Sequence, residues 1–373
     1  MKCMLKKYLT LVIGLILSGF SSGQVKLAEN GIENSGAKIS DEKSKLIYEN
    51  VKTFPNNTEF AVAVIENNKV DFIGVKRTND TIFFNKNHQN VFEIGSISKV
   101  FTAVLLSNFV TEQKLNLDDN IQEYLDFKIK IDEKITFKEL ANHTSGLPRL
   151  PSNLNLLSVN QNNPYKNYNS KKLTEYLTEK IKLNTPPGEK YEYSNLGAGI
   201  LGFELAKMSN SSYEKLLQEK IFKKYGMSSS TSQREKVNTT IVQGLNPNGE
   251  ITSNWDFDAL AGGGAILSTV EDMSKFALAQ FNKENKELVL AQQSTFTINE
   301  YMDIGLGWHI LKTRSGEKLI WHNGGTGGYS SSMTLDIKNN NGIIILSNVS
   351  AFHKEMGNVD ALCFALIRTL NKK

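Results

Sequence analysis

Ser96 and Lys99 lie three residues apart at the beginning of a strongly apolar segment. Residues three apart share one face of a helix, so the hydroxyl and the amine can meet there. The apolar segment at 100–110 predicts a helix that is buried nearly all round, and burial disfavours a charged ammonium and lowers the lysine pKa. A serine hydroxyl beside such a lysine would be an activated nucleophile. The structural alternative is a serine N-cap followed by a first-turn lysine that extends to water.

Tyr193 and Asn195 follow the Pro-Pro-Gly turn at 186–188 and precede a second apolar helical segment. In an extended backbone, residues two apart point the same way, so these two side chains would project together. A phenol can transfer a proton, and a carboxamide can hold a substrate amide or a lysine amine. The structural alternative is that Tyr193 packs in the core and Asn195 caps the helix that follows.

The glycine-rich segment 321–329 contains His322, Gly324 and Gly325 and joins two predicted strands. Glycine lets a ligand approach a strand edge closely. A backbone N–H of this segment, together with the N–H of Ser96, could form an oxyanion hole. The structural alternative is a flexible hairpin connection with His322 at the surface. A phosphate-binding loop is disfavoured, because no Gly-Lys-Ser/Thr follows the glycines.

Three motifs, Ser-x-x-Lys at 96–99, Tyr-x-Asn at 193–195 and His-x-Gly at 322–324, occur in this order along the chain. In this respect the sequence resembles the penicillin-recognising serine enzymes, and within them the branch of class C β-lactamases and D-alanyl-D-alanine carboxypeptidases. The resemblance covers about residues 41–370. It is carried by the segments 92–106, 135–147, 187–195, 261–273 and 322–329.

The resemblance implies a role for each motif residue. Ser96 would attack a carbonyl group and become acylated, while Lys99 and Tyr193 would move its proton. Which of these two is the main base stays open. Asn195 would orient Lys99 and the substrate amide. Gly325 would supply the second oxyanion N–H beside that of Ser96.

The third motif departs from the pattern of many family members. His322 occupies the position of the lysine in their Lys-Thr-Gly motif, and Asn323 replaces a residue that carries a hydroxyl. A permanently charged lysine suits a substrate carboxylate, whereas histidine is mostly neutral at pH 7. If His322 binds a carboxylate in its charged form, acidic substrates should bind more weakly as the pH rises through about 6.5.

The function implied is a serine hydrolase that forms an acyl-enzyme with a β-lactam or a D-Ala-D-Ala-like amide. An esterase or peptidase that acts on small acyl substrates is the alternative within the family. From a different class, a non-catalytic penicillin-binding-like sensing module would be expected to carry broken motifs, whereas Ser96, Lys99, Tyr193 and Asn195 are all present.

Other chemistries lack their sequence signals. The five histidines include no His-Glu-x-x-His or other ligand spacing, so we expect neither a metal nor another cofactor. No Gly-x-Ser-x-Gly elbow of an α/β-hydrolase occurs. We interpret His143, in His-Thr-Ser-Gly, as a structural loop residue rather than a triad base. The sequence leaves the oligomeric state open.

The chain has 373 residues, and residues 1–23 predict a secretory signal peptide. A basic start, an apolar run at 8–17 and small residues up to Gly23 support cleavage after Gly23. Because the run is too short to span a membrane comfortably, we expect no stable membrane anchor, and a periplasmic or secreted location. Three lysines of the signal contribute to the formal net charge of +4, so we expect no nucleic-acid partner. After cleavage Cys363 is the one cysteine left, which excludes an internal disulfide.

The elements that must position the motif residues suggest an α+β fold. Apolar patterns predict strands near both ends of the chain, at 59–66, 69–76, 81–84, 306–313, 318–321, 329–337 and 343–349. Capping residues and apolar stripes predict helices at about 41–52, 136–142, 196–208, 213–225, 269–282 and 354–370.

We therefore predict an antiparallel sheet flanked by terminal helices, with a mostly helical inserted subdomain. Residues 41–110 and 265–373 would form the sheet subdomain, and residues 111–264 the helical one, after a flexible lead-in at 24–40. The motif residues should meet in the cleft between the two subdomains.

Overall fold

A ten-stranded sheet forms the centre of the computed structural model, which describes residues 26–32, 39–155, 159–313 and 316–371. The strands of the described chain are β1 Glu29–Asn30, β2 Glu59–Glu66, β3 Lys69–Thr78, β4 Thr81–Phe84, β5 Val91–Glu93, β6 Leu267–Thr269, β7 Phe296–Asn299, β8 Met302–Ile304, β9 His309–Lys312, β10 Lys318–Gly325, β11 Ser330–Asp336 and β12 Asn341–Ser347. The sheet order is β1-β4-β3-β2-β12-β11-β10-β9-β8-β7, and β5 pairs with β6 separately. All neighbours in the large sheet are antiparallel except β1 and β4.

Helices cover both faces of the sheet. The α-helices of the described chain are α1 Asp41–Val51, α2 Ser98–Thr111, α3 Phe137–Ala141, α4 Ser170–Glu175, α5 Asn195–Met208, α6 Tyr213–Leu217, α7 Val270–Phe281, α8 Lys286–Ala291 and α9 Gly357–Leu370. Helices α1 and α9 pack on one face, and α2 lies in the larger core on the other face. All residues of α2 from Ser98 to Phe109 are buried, as its apolar sequence predicts.

Strand β2 shows how one sheet serves two cores. Side chains alternate between the two faces of a strand, so a strand covered on both faces is apolar throughout. The side chains on the α2 side are Ala61, Ala63 and Ile65, and those on the side of α1 and α9 are Phe60, Val62 and Val64. The sheet is therefore a central layer, and the motif residues lie on its α2 side.

The fold class predicted from the sequence is confirmed, and many element boundaries agree. Strands β2 and β4 have the predicted limits, and Ser40, Thr136 and Thr269 cap helices α1, α3 and α7 as expected. The hairpin of β7 and β8 and the helix α8 were not predicted, because these elements are short and β7 is mostly half-exposed. The boundaries of the two subdomains stay predictions.

Part of the predicted lead-in is ordered, which corrects the expectation of a flexible segment there. Glu29 and Asn30 pair with β4, and Ala28 and Ile32 beside them are buried. The backbone N–H of Ala28 donates to Lys52 O at 3.0 Å. Two buried apolar side chains and these backbone bonds hold this segment on the sheet edge.

None of the described helices is long and apolar enough to cross a membrane. The predicted signal peptide at 1–23 lies outside the described residues.

Candidate active site

Ser96 lies where strand β5 passes into helix α2. A 3₁₀ turn, Gly95–Ile97, connects the two elements, and Gly95 adopts a φ of +52°, a left-handed conformation that favours glycine. A side chain on Gly95 would also meet the backbone N of Gly325 at 2.5 Å. Position 95 therefore needs glycine for two reasons, the conformation of the turn and the close approach of β10. The turn leaves Ser96 half-buried at the edge of a cavity.

Lys99 lies under Ser96 and is 2% exposed. Its Nζ donates to Ser96 Oγ at 3.1 Å and to the backbone oxygen of Gly263 at 2.6 Å. Burial holds the pKa of Lys99 well below its usual range, and the nearby charge of Arg149 lowers it further. Lys99 thus lies within reach of the Ser96 hydroxyl proton, in surroundings that favour the neutral amine.

Tyr193 lies beside both residues. Lys99 Nζ is 4.8 Å from the centre of the Tyr193 ring. Burial raises the pKa of Tyr193 to about 12, although a hydrogen bond with the Ser96 side chain opposes that rise. The phenol is therefore protonated at neutral pH and can pass on a proton more readily than it can supply a phenolate base.

The loop around His143 anchors the segment that carries Tyr193. His143 is buried, and its Nδ1 accepts a hydrogen bond from the Ser194 N–H at 3.2 Å. Ser194 Oγ donates to Pro148 O and also accepts from the Gly197 N–H, which caps helix α5. This agrees with the interpretation of His143 as a structural loop residue, since its ring connects two loops 4.5 Å from the Tyr193 ring.

Asn195 is the first residue of α5 and lines the same cavity as Ser96. Its Oδ1 is buried and has no hydrogen-bond partner in the described part of the chain. The expected contact in which Asn195 orients Lys99 is thus not formed, because the carbonyl of Gly263 holds the amine instead. The carboxamide oxygen is left to accept a hydrogen bond from a substrate N–H.

His322 lies on β10 and is buried, 1% exposed. Its Nδ1 is 2.6 Å from the backbone oxygen of Asn323. Because a carbonyl only accepts, Nδ1 carries the proton, and the neutral ring presents the lone pair of Nε2, which has no partner among the described residues. Burial keeps the pKa of His322 well below its usual range, and the charges of His309 and Lys99 lower it further. In the ligand-free site, burial therefore argues against a transition of His322 near pH 6.5, and its role in binding a substrate carboxylate stays a prediction.

Gly324 and Gly325 form the strand edge that faces the nucleophile. The Thr326 N–H donates to Tyr329 O. In an antiparallel pair of strands, only every second residue bonds to the partner strand. The N–H of Gly325 therefore points away from β11. Pairing of β10 with β9 ends at Trp321, so this part of the edge meets the turn at Gly95 instead. The first backbone amides of a helix also lack partners within the helix, which applies to the N–H of Ser96. Both predicted oxyanion donors are thus brought to one place.

Asn323, which replaces the hydroxyl residue of the third motif, has a hydrogen-bond partner on the face of the sheet that α9 covers. Its Nδ2 donates to Asp360 Oδ2 of helix α9 at 2.8 Å. Asp360 is buried, and burial raises its pKa to about 6. The side chain that replaces the usual hydroxyl therefore attaches the motif strand to α9 and is not turned to the cleft.

Aromatic residues form a wall of the cavity that the sequence did not predict as part of the site. The rings of Tyr165 and Phe257 stack with their centres 4.6 Å apart, and the Trp255 ring lies 5.3 Å from that of Tyr165. The cavity between this wall and Ser96 has a volume of about 20 Å³. The wall comes from loop segments without periodicity, so no sequence signal marked it.

Glu93 fixes the segment that carries Trp255. Its Oε1 accepts hydrogen bonds from Asn254 Nδ2 and the Trp255 N–H, both at 2.8 Å. Burial raises the pKa of Glu93 to about 7. Its place on β5, two residues before Gly95, brings the aromatic wall and the nucleophile to one strand end.

Comparison with known proteins agrees with this geometry. The sequence model of the Beta-lactamase family matches residues 50–362, and the chain belongs to that family. Its fold is the β-lactamase fold, in agreement with the family that its three motifs resemble.

Three similar proteins illustrate the range of the family. Protein flp of Staphylococcus aureus is 26% identical over 274 residues, which are 70% of this chain and 53% of that protein. Beta-lactamase-like protein 2 of Dictyostelium discoideum is 32% identical over 228 residues, 57% of this chain and 39% of the other. The chain thus spans about half the length, or less, of these curated relatives. A crystal structure of a β-lactamase/D-alanine carboxypeptidase from Pseudomonas syringae superposes with a TM-score of 0.71 at 21% identity, covering 88% of this chain and 96% of that one, which shows the shared fold.

Proposed function

We propose that the protein is an exported serine hydrolase that forms an acyl-enzyme at Ser96 and hydrolyses a β-lactam or a D-Ala-D-Ala-like amide. The observation that carries this proposal is the position of Lys99 Nζ, buried and 3.1 Å from Ser96 Oγ. A buried amine with a lowered pKa is a competent base for a serine hydroxyl at neutral pH.

The steps follow from the protonation states of the site. Neutral Lys99 accepts the proton of Ser96 as Oγ attacks the substrate carbonyl. The N–H groups of Ser96 and Gly325 stabilise the oxyanion, and loss of one such donor typically costs about 10²–10³ in rate. Tyr193, a phenol with a raised pKa, relays the proton to the leaving group and later assists the deacylating water. Asn195 Oδ1 accepts from the substrate amide.

A second candidate is an esterase or peptidase that acts on small acyl substrates. The neutral His322 favours it, because the third motif then carries no charge for the carboxylate of a β-lactam or a peptide.

Intact-mass spectrometry of the exported protein after incubation with a penicillin tests the first proposal. We expect a mass increase of one penicillin in the wild type and none in Ser96→Ala. Ser209→Ala is the matched control, because this serine only closes the end of helix α5 through Leu205 O. An equal adduct in Ser96→Ala, or unchanged ester turnover in it, would falsify the nucleophile assignment.

The same spectra test the proposed export. Cleavage after Gly23 gives a mature chain that begins at Gln24, and a chain that retains residues 1–23 contradicts the proposal.

Rates with a chromogenic cephalosporin, a D-Ala-D-Ala peptide and a p-nitrophenyl ester then rank the two candidate functions. Fast ester turnover with neither a penicillin adduct nor turnover of the cephalosporin or the peptide would favour the second candidate.

A further inference from the structure

The third motif offers no positive charge to a substrate. Burial holds the pKa of His322 well below its usual range, so the ring is neutral at pH 7; its Nδ1 proton faces the carbonyl of Asn323, and the Nε2 side presents a lone pair. A carboxylate is itself only an acceptor, so it cannot form a hydrogen bond with that nitrogen. Asn323 is engaged by Asp360. The third motif therefore supplies no cation to a substrate that bears a carboxylate.

Arg149 is placed to supply this cation. It is exposed, and the guanidinium carbon lies 5.2 Å from the centre of the Tyr193 ring. The backbone of Arg149 is fixed to the second motif, because its carbonyl accepts hydrogen bonds from the N–H groups of Asn195 and Leu196 at 3.0 and 3.1 Å. Arg149 forms no ion pair with a carboxylate among the residues that the structure describes, so its charge is available to a ligand.

The chemistry of arginine suits this place. A guanidinium can stack on an aromatic ring while its N–H donors, which lie in its own plane, stay free at the edge. Two of these donors match the two oxygens of a carboxylate. The charge also acts on the buried site, since Arg149 contributes to the lowered pKa of Lys99.

We propose that Arg149 binds the carboxylate of the substrate and so replaces the cation that the third motif lacks. This inference rests on the proposed function, and it narrows the substrates to acyl compounds that bear a free carboxylate near the scissile bond. The carboxylate lies beside Tyr193 and not on strand β10.

Two substrate pairs that differ only in charge test this in the wild type and in Arg149→Gln. A D-Ala-D-Ala peptide and its C-terminal amide vary the charge on the leaving group, and the p-nitrophenyl esters of glutaric and pentanoic acid vary it on the acyl group. We expect kcat/KM for the charged member of one pair to fall by about 10–100-fold in Arg149→Gln, mainly through KM, as loss of a charge-assisted hydrogen-bond pair predicts. Any effect of the lost charge on Lys99 is common to both members of a pair, so the neutral member should fall much less than the charged one. Arg149→Lys should restore part of the preference. The pair that responds identifies the side on which the carboxylate lies.

Binding without turnover separates failure of this proposal from failure of the proposed function. In Ser96→Ala, calorimetry compares the D-Ala-D-Ala peptide and glutarate with the corresponding neutral amides. Tighter binding of at least one acid, lost in Ser96→Ala/Arg149→Gln, supports the Arg149 site even if no substrate is turned over. Equal loss for charged and neutral substrates in Arg149→Gln, or unchanged acid-to-neutral ratios in both kinetics and binding, overturns it. Ester turnover that persists in Ser96→Ala contradicts the proposed nucleophile alone.

Discussion

At the scale of single residues, the proposed chemistry depends on the protonation state of Lys99. An ammonium that donates to Ser96 Oγ cannot accept its proton, whereas a neutral amine can. Burial favours the neutral form, and the carbonyl of Gly263 fixes the amine under the serine without adding a negative charge. The arrangement needs no carboxylate of the kind that orients a histidine in a catalytic triad.

We predict that Lys99→Arg lowers kcat by at least about 10²–10⁴-fold, the usual contribution of a general base, because arginine stays protonated. Stopped assays of ester or penicillin turnover measure this. In the wild type, kcat/KM should decline on the acidic side at a pH below the pKa of free lysine. The residual activity of Lys99→Arg should show no such decline. A fully active Lys99→Arg enzyme would place the base elsewhere.

The structure brings together the motif residues that the sequence singled out by type and order, and their catalytic roles stay predictions. It could not predict the partner of Lys99, since any residue can supply the carbonyl that Gly263 supplies. The tautomer of His322 and the availability of Arg149 depend on burial and on distant neighbours, which have no local sequence signal.

At the scale of elements, the contact between strand β10 and the turn before α2 decides whether an oxyanion site exists. A Cβ on Gly324 would lie 2.0 Å from Ile94 O and 2.9 Å from Ser96 N. Ser331 Oγ of β11 also donates to Ile94 O at 2.8 Å, so the turn is held by two adjacent strands. Close backbone packing, which only glycine permits, positions the serine.

Gly324→Ala should therefore separate the strand edge from Ser96 and lower kcat by about 10²–10³-fold, as expected for loss of an oxyanion donor. It should also lower the thermal midpoint. Gly197→Ala is the matched control, because a Cβ there meets its neighbours at ordinary distances of 3.5 Å or more and the substitution favours the helix. Similar activities in the two variants would contradict the role of the β10 edge.

Elements with strong local signals were predicted and weak ones were missed. Thr136 and Glu139 form the capping box that their spacing indicates, with mutual hydrogen bonds of 3.2 and 2.7 Å. Strand β1 was missed because two residues carry no measurable pattern, although tertiary contacts hold them.

At the scale of the whole molecule, the core of the helical region contains an acid without a partner. Glu204 of α5 is 0% exposed, and neither carboxylate oxygen has a hydrogen-bond partner among the described residues. Burial raises its pKa to about 8. Because the folded protein then holds a proton that the unfolded chain releases above about pH 4.5, stability falls as the pH rises from about 4.5 to about 8.

Glu204→Gln should remove this dependence and raise the free energy of unfolding at pH 8 by about 2–4 kcal/mol, because glutamine cannot ionise and a difference of one pKa unit is worth about 1.4 kcal/mol. Urea unfolding at pH 5 and pH 8 measures the difference. At pH 5 the two proteins should be similar, since Glu204 is protonated there in the folded state. Glu284→Gln, at an exposed site, is the control and should change little at either pH. A variant less stable than the wild type at pH 8 would show that the acid has a stabilising partner.

The pairing of β2 with β12 has a consequence for how the protein is made. Strand β2 is synthesised early, yet its partner lies near the other end of the chain, and Gly324 and Gly325, which face Ser96, are also late. Contacts between such distant residues form slowly, because the long intervening chain must first be closed into a loop. A growing polypeptide therefore contains Ser96 and Lys99 long before it contains the strand that completes their site. Under the proposed function, hydrolytic activity should therefore require β10, and a product truncated before β10 would carry Ser96 and Lys99 without the strand edge that faces them.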